Sequence, residues 1–222
     1  MNSNSKVVLF DLDGTLIDTA PDMTKVLLEM IKEFNGDKKI TNKIARNYVS
    51  DGSIGLLELG FPSASTTKIT DLQKTYLNLY QNNLCKQTKF FHSLRNLISD
   101  LNKKQIKWGV VTNKPTRMTL PLLISLKTFT QYVISGDTLT SRKPKPLPLI
   151  LACKMMNIEP VNAIYVGDAE RDIIAGISAG MKTIVAGYGY IKHDDNPSKW
   201  GADMIAETPS QLNEMIKNEL NI

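Results

Sequence analysis

Apolar residues follow two rhythms along this chain. Short, near-continuous runs recur at 7–10, 106–112, 132–135, 163–166 and 182–186. Runs of this length, rich in β-branched residues, suit strands covered on both faces of a sheet. Between them, 94–104, 147–157 and 171–179 repeat their apolar residues at helical spacing. Strand and helix in alternation predict βαβ units, hence an α/β fold: a Rossmann-like, three-layer core around a parallel sheet. Gly180 falls where a helix C-terminus needs a left-handed residue. Thr208-Pro209-Ser210-Gln211 joins an N-cap, a Pro at the first helical position and a capping-box Gln, which predicts a last helix to about Leu220.

One stretch breaks the alternation. From 21 to 89 only helical patterns occur, at 23–34, 43–49 and 67–84. The expected organisation is a core domain of 1–18 and 90–222, with an all-helical cap subdomain inserted at 19–89. A helical insert placed directly after the first strand can close over a site and exclude water. Within it, Val49-Ser50-Asp51-Gly52-Ser53 reads as a polar loop dipping toward substrate, and makes Ser50 and Gly52 candidate binding residues.

A chain of 222 residues can bury one good core and a second small one. With 42% hydrophobic and 22% charged residues, its composition is that of a soluble globular protein. No apolar run approaches the roughly 20 residues that span a bilayer, and MNSNSK lacks the basic-then-apolar plan of a secretory signal. The expectation is a cytoplasmic protein with no membrane partner. Lys plus Arg is 27 against 22 for Asp plus Glu, an excess of +5. That excess is spread over Lys38-Lys39, Lys103-Lys104 and Arg142-Lys143-Pro144-Lys145, whereas a nucleic-acid binder concentrates it in one stripe. No nucleic acid is expected, and a small anionic substrate fits the balance. Monomer and homodimer both remain open.

Cys85 and Cys153 show neither CxxC nor zinc spacing and read as reduced thiols in packed helices. Neither has an Arg six positions on, so the cysteine-phosphatase loop is absent. His92 and His193 read as surface residues, which leaves histidine-based phosphoryl transfer little to work with.

The first strand ends in Asp11, with Asp13 and the turn Gly14-Thr15 close behind. Two carboxylates at the carboxyl end of a strand lie where open α/β sheets bind ligands. They invite a hard cation such as Mg²⁺, and one can attack phosphorus while the other handles a proton. The second strand runs into Thr112-Asn113-Lys114-Pro115, whose hydroxyl and backbone N–H groups can hold a phosphate. After the next strand, prolines stiffen Arg142-Lys143-Pro144-Lys145-Pro146; Lys143 can neutralise nucleophile and phosphate together, while Arg142 and Lys145 read as solvated. A further strand ends in Gly167-Asp168, placing Asp168 opposite Asp11 and completing a cation site with the Asp13 main-chain oxygen. Asp172 can orient a metal-bound water. Glu170 and Arg171 read as surface pairs.

In order and spacing these segments resemble the motifs of the haloacid dehalogenase superfamily. The resemblance implies Asp11 as nucleophile and Mg²⁺ ligand, and Asp13 as general acid/base with its main-chain oxygen on the metal. It also implies Thr112 and Asn113 as phosphoryl ligands, Lys143 as charge stabiliser and Asp168 as metal ligand. The dehalogenase branch lacks a carboxylate at the position of Asp13, so a phosphate ester is the implied substrate. The stretch KPKPLPLILACKMMNIEPVNAIYVGDAERDIIAGISAGM, with Gly187-Tyr188-Gly189-Tyr190, is similar to bacterial phosphoglycolate phosphatases. Those usually carry Gly-x-Gly where this chain has Ser50-Asp51-Gly52. That segment, Gly167-Asp168-Ala169-Glu170-Arg171-Asp172 and Trp200-Gly201-Ala202-Asp203 also look like the related N-acetylmuramic acid 6-phosphate phosphatases. Hydrolysis of 2-phosphoglycolate is the first implied activity and an amino-sugar or other sugar phosphate the alternative. A phosphomutase and a non-catalytic regulatory protein complete the set.

Overall fold

The computed structural model describes residues 6–222; most of the opening segment read for a targeting signal lies outside the described residues. In chain order the elements are β1 (Val7–Phe10), β2 (Ile17–Asp18), α1 (Ala20–Glu33), α2 (Asn42–Arg46), α3 (Gly52–Gly60) and α4 (Thr66–Asn82). Then come β3 (Lys89–Phe90), α5 (Leu94–Lys103), β4 (Trp108–Val111), α6 (Thr116–Ser125), β5 (Val133–Ile134) and α7 (Leu147–Met156). The chain finishes with β6 (Ala163–Gly167), α8 (Glu170–Ser178), β7 (Lys182–Ala186), β8 (Met204–Ala206) and α9 (Pro209–Leu220). Among the described residues no helix is long and apolar enough to cross a membrane.

Six strands form one parallel sheet in the order β5-β4-β1-β6-β7-β8. Alternation along each strand divides the core into two layers. Val8 and Phe10 point to the face covered by α5 and α9 (Leu97, Leu101, Leu212, Ile216). Val7 and Leu9 point to the face covered by α7 and α8 (Leu149, Met156, Ala175). With β1 paired to β4 on one side and β6 on the other, Phe10 lies level with Val110 and Val166. The three strands therefore deliver Asp11, Thr112 and Asp168 to one end of the sheet, where the chain reverses its winding direction and ligands bind.

The helices of 20–82 have a core of their own, in which Val26, Leu27 and Met30 of α1 meet Leu56, Leu57, Leu72 and Tyr76. The chain leaves and rejoins the sheet domain through a two-stranded antiparallel ribbon, Ile17 opposite Phe90 and Asp18 opposite Lys89. Asp22, buried at the start of α1, accepts from the backbone N–H groups of Gln87 and Thr88 and so pins the returning strand.

Several expectations change in detail. The segment 49–53 is no open loop: Val49–Asp51 is a 3₁₀ turn and Gly52, at φ +72°, leads directly into α3. That helix was hidden by its three glycines, each a poor helix former; burial of Leu56 and Leu57 holds it in place. The edge strand β8 has only three residues, too few for a pattern to show. Cys85 follows α4 in a left-handed conformation and is not helical, whereas Cys153 is buried in α7; both are free. Gly180 adopts φ +77°, and Thr208 caps α9 by accepting from Gln211 N. His92 and His193 are exposed.

Candidate active site

A cavity of about 330 Å³ opens between the carboxyl ends of β1 and β4 and the inserted helices. Asp11, Asp13, Thr112 and Lys143 line it from the sheet side, and Ser50 and Tyr80 from the helical side. Lys143 is the electrostatic centre of the sheet side. Its buried Nζ lies 2.7 Å from Asp11 Oδ1 and 2.7 Å from Asp172 Oδ1, and donates to Val111 O at 2.9 Å and to the Tyr165 hydroxyl at 2.8 Å. Burial pushes this ammonium toward deprotonation, but Asp11 and Asp172 outweigh it and raise its pKa. Its backbone is held as firmly: Lys143 N donates to Asn113 Oδ1 at 3.1 Å and Asn113 Nδ2 donates to Lys143 O at 3.0 Å. The Asn113 side chain thus anchors the lysine loop, while the residue itself borders the cavity beside Thr112. Thr112, buried beside it, accepts from Lys114 N at 3.2 Å.

Asp11, Asp168 and Asp172 are all buried and present carboxylate oxygens within 4.8 Å of one another. Asp168 accepts from Ser50 Oγ at 2.7 Å, Tyr190 N at 2.9 Å and Thr15 Oγ1 at 3.3 Å. Burial, then Asp11 and Asp172, push its pKa up to about 7 despite those donors. Buried carboxylates that repel one another, offering only hard oxygen donors, suit an alkaline-earth cation. The fit is tight on the β1 side: Gly14 has φ +80°, and a Cβ there would collide with the Asp168 carboxylate and the Tyr190 ring. Asp172 Oδ2 also accepts from Ala169 N at 3.1 Å, so this residue caps α8 while pairing with Lys143.

Asp13 turns away from that cluster. Its carboxylate accepts from Thr19 Oγ1 at 2.6 Å and from Lys114 Nζ at 3.0 Å, and Lys114 Nζ also donates to the Tyr80 hydroxyl at 3.0 Å. Sequence reasoning passed over Lys114 and Tyr165. The lysine stood inside a quoted turn with no charge pattern to single it out, and the tyrosine stood inside an apolar strand.

The inserted helices reach the sheet domain through Met118 and Tyr190, which share their core, and through polar contacts. Besides Ser50 and Tyr80, Asp51 pairs with Lys192 at 2.6 Å, and Arg171 Nη2 donates to Ser50 O at 2.6 Å. The expectation that Arg171 forms a surface pair fails, because α8 aims its first turn at the helical insert and draws the side chain into the cavity wall. Arg142 is exposed as expected, at the cavity rim, and Lys145 is exposed outside it. The Tyr190 hydroxyl ties the ribbon together: it accepts from Thr19 N at 2.7 Å and Ala20 N at 2.9 Å and donates to Asp18 Oδ1 at 2.9 Å.

The sequence model of haloacid dehalogenase-like hydrolases matches residues 8–186, from β1 through β7. This chain belongs to that family. It is 37% identical to an N-acetylmuramic acid 6-phosphate phosphatase of Pseudomonas putida, over 97% of both chains. It is 38% identical to a phosphoglycolate phosphatase of Xylella fastidiosa, over 95% of this chain and 93% of that one. Among solved structures, one described as a predicted phosphoglycolate phosphatase from Haemophilus somnus superposes with a TM-score of 0.85. It covers 97% of this chain and 100% of its own at 22% identity, and so speaks for the fold.

Proposed function

We propose that this protein is a Mg²⁺-dependent phosphomonoesterase acting through an aspartyl-phosphate on Asp11. The observation that carries this reading is the Asp11 carboxylate itself. It sits at the end of the central strand, holds Lys143 at 2.7 Å, and borders a cavity that also contains a second carboxylate, Asp13. Asp11 attacks phosphorus in line, and Asp13 delivers a proton to the leaving alkoxide. Asp13 then removes a proton from the water that cleaves the aspartyl-phosphate. Lys143 offsets charge on Asp11 and the phosphoryl oxygens, and Thr112 supplies a hydroxyl at the same strand end. Asp11 and Asp168 would hold Mg²⁺, with the Asp13 main-chain oxygen as a further donor and Asp172 beside them to orient a metal-bound water. When bound, the ion supplies Lewis-acid neutralisation of the phosphate. The insert 19–89 serves as the cap, and Ser50 and Gly52 border the organic part of the ester.

The first substrate is 2-phosphoglycolate, in line with the Xylella fastidiosa relative. A second reading, N-acetylmuramic acid 6-phosphate, is favoured by the cavity: about 330 Å³ is more room than a two-carbon ester fills. The Pseudomonas putida relative points the same way. Phosphate release with Mg²⁺, measured on both esters at equal concentration, tests the proposal. Stoichiometric release from either supports it, and the preferred ester settles the organic part. Turnover that leaves phosphate on a sugar overturns it in favour of a mutase, and absence of turnover overturns the enzyme reading.

A further inference from the structure

The cavity contains more positive charge than the hydrolytic scheme uses. Lys143 is committed to Asp11 and Asp172, and Lys114 to Asp13. Lys192, outside the cavity lining, is committed to Asp51. Arg171 is different. Among the described residues no carboxylate lies within 4.0 Å of its guanidinium, although it is half-buried in the cavity wall. A single bond, from Nη2 to the Ser50 carbonyl, fixes the group. A guanidinium carries five N–H donors in a planar fork that matches a carboxylate two atoms to two. Most of that fork remains available. Its anchor Ser50 is a residue of the insert whose hydroxyl also bonds Asp168, so the fork lies on the cavity wall where the insert meets the carboxylate cluster. Arg142 also borders the cavity, but it is exposed at the rim, where solvent screens its charge.

We infer that Arg171 seats a carboxylate carried by the organic part of the ester, which makes the substrate class phosphate esters of carboxylic acids. This rests on the phosphatase reading above. Both esters proposed there meet the requirement: one is a carboxylic acid throughout, and the other bears its carboxylate on a lactyl ether. The guanidinium binds that carboxylate, the Ser50 carbonyl holds the guanidinium in place, and an ester with a neutral tail leaves it unsatisfied. Rejection of a ligand that leaves a buried donor unpaired is stronger than rejection by shape alone.

Two substrate pairs isolate the carboxylate. 2-Phosphoglycolate is compared with 2-hydroxyethyl phosphate, and N-acetylmuramic acid 6-phosphate with N-acetylglucosamine 6-phosphate. In wild-type protein the acid member of at least one pair should win in kcat/KM by about 10- to 100-fold, the range of a charge-assisted contact. Arg171→Gln should bring that ratio to within about 3-fold, mainly by raising KM for the acid, and Arg171→Lys should recover part of it. Loss of the Ser50 tether alone would lower both members of a pair together and leave the ratio intact, so an unchanged ratio overturns the inference. A wild-type enzyme with no preference for acids overturns it too, as does a ratio that collapses in Arg142→Gln and not in Arg171→Gln. Should Arg171→Gln fail to fold, Arg171→Lys carries the test: its ratio must fall below wild type. Absence of turnover on all four esters overturns the phosphatase reading and this inference with it, whereas turnover without the acid preference removes the inference alone.

Discussion

The two walls of the cavity are built differently. On the sheet side, Asp11, Asp172 and Lys143 are buried, and their positions follow from strand register and from the backbone clamp of Asn113 on the lysine. On the helical side, Ser50 and Tyr80 sit on elements whose core, among the described residues, takes only Met118 and Tyr190 from the sheet domain as buried members, and their own bonds to that domain run to Asp168, Arg171 and Lys114. The sheet side is a preorganised charge array in a low-dielectric site, where small displacements are costly. The helical side meets it through side chains at the strand ends, Lys114 and Asp168 among them, and leaves the ladder itself untouched. A division of this kind lets one chemistry meet many organic groups.

The comparison breaks most severely at the nucleophile. Asp11→Asn should lower kcat by about 10⁴-fold or more, the scale seen when a covalent nucleophile is removed, while thermal melts stay near wild type because the shape is kept and a repulsive charge is lost. A cooperative melt with substantial turnover would remove Asp11 from its proposed role. Lys143→Met should act on stability as well as rate. It strands Asp11 and Asp172 as buried charges without a cation, at a cost of about 3–5 kcal/mol in denaturant melts. Adding Asp172→Asn should return part of that loss, since the second substitution removes one of the stranded charges. A simple sum of the two single effects would show that the three side chains are not one coupled unit.

Asp168 sharpens the comparison through pH. In metal-free protein its folded-state pKa of about 7 lies above the ordinary 3.8. Between those values the folded state holds more protons than the unfolded chain, so stability from this group is greatest at low pH and is lost as pH rises toward 7. A cation that takes the proton's place should therefore raise Tm more at about pH 8 than at about pH 5. Equal shifts at both pH values would mean that Mg²⁺ binds elsewhere.

The sheet side was largely legible in the sequence and the helical side much less so. Strands buried on both faces read as apolar runs; Asp11 and Asp168 each end such a run, and Lys143 sits within a proline-stiffened loop. Asp11, Thr112 and Asp168 consequently stood out by position as well as by type. Asn113 stood out for the same reason, yet its amide had a backbone partner that only the fold brings near, thirty residues along the chain. Helix α3 was masked by glycines that tertiary burial overrides. Arg171 read as a surface charge because nothing local distinguishes an arginine facing solvent from one facing an inserted helix. What remained illegible depends on contacts between the insert and the sheet domain, distant in sequence and few in number.

The smallest expected effect tests how much the helical side contributes to the reacting end. Ser50 Oγ donates to Asp168 Oδ2, a direct bond from the cap to a proposed cation ligand. Ser50→Ala removes one hydrogen bond beside groups that keep other donors, Tyr190 N and Thr15 Oγ1. Stability should therefore change by only about 1 kcal/mol. If that bond merely rests the cap on the sheet domain, KM rises about 3-fold for all esters and the Mg²⁺ dependence stays put. If it also orients the carboxylate for the cation, the Mg²⁺ concentration for half-maximal rate rises by a similar factor, since a lost partner to a metal ligand weakens the site. A shift in KM alone would leave the sheet side self-sufficient; a shift in the Mg²⁺ dependence would make closure of the cap a condition for assembling the cation site.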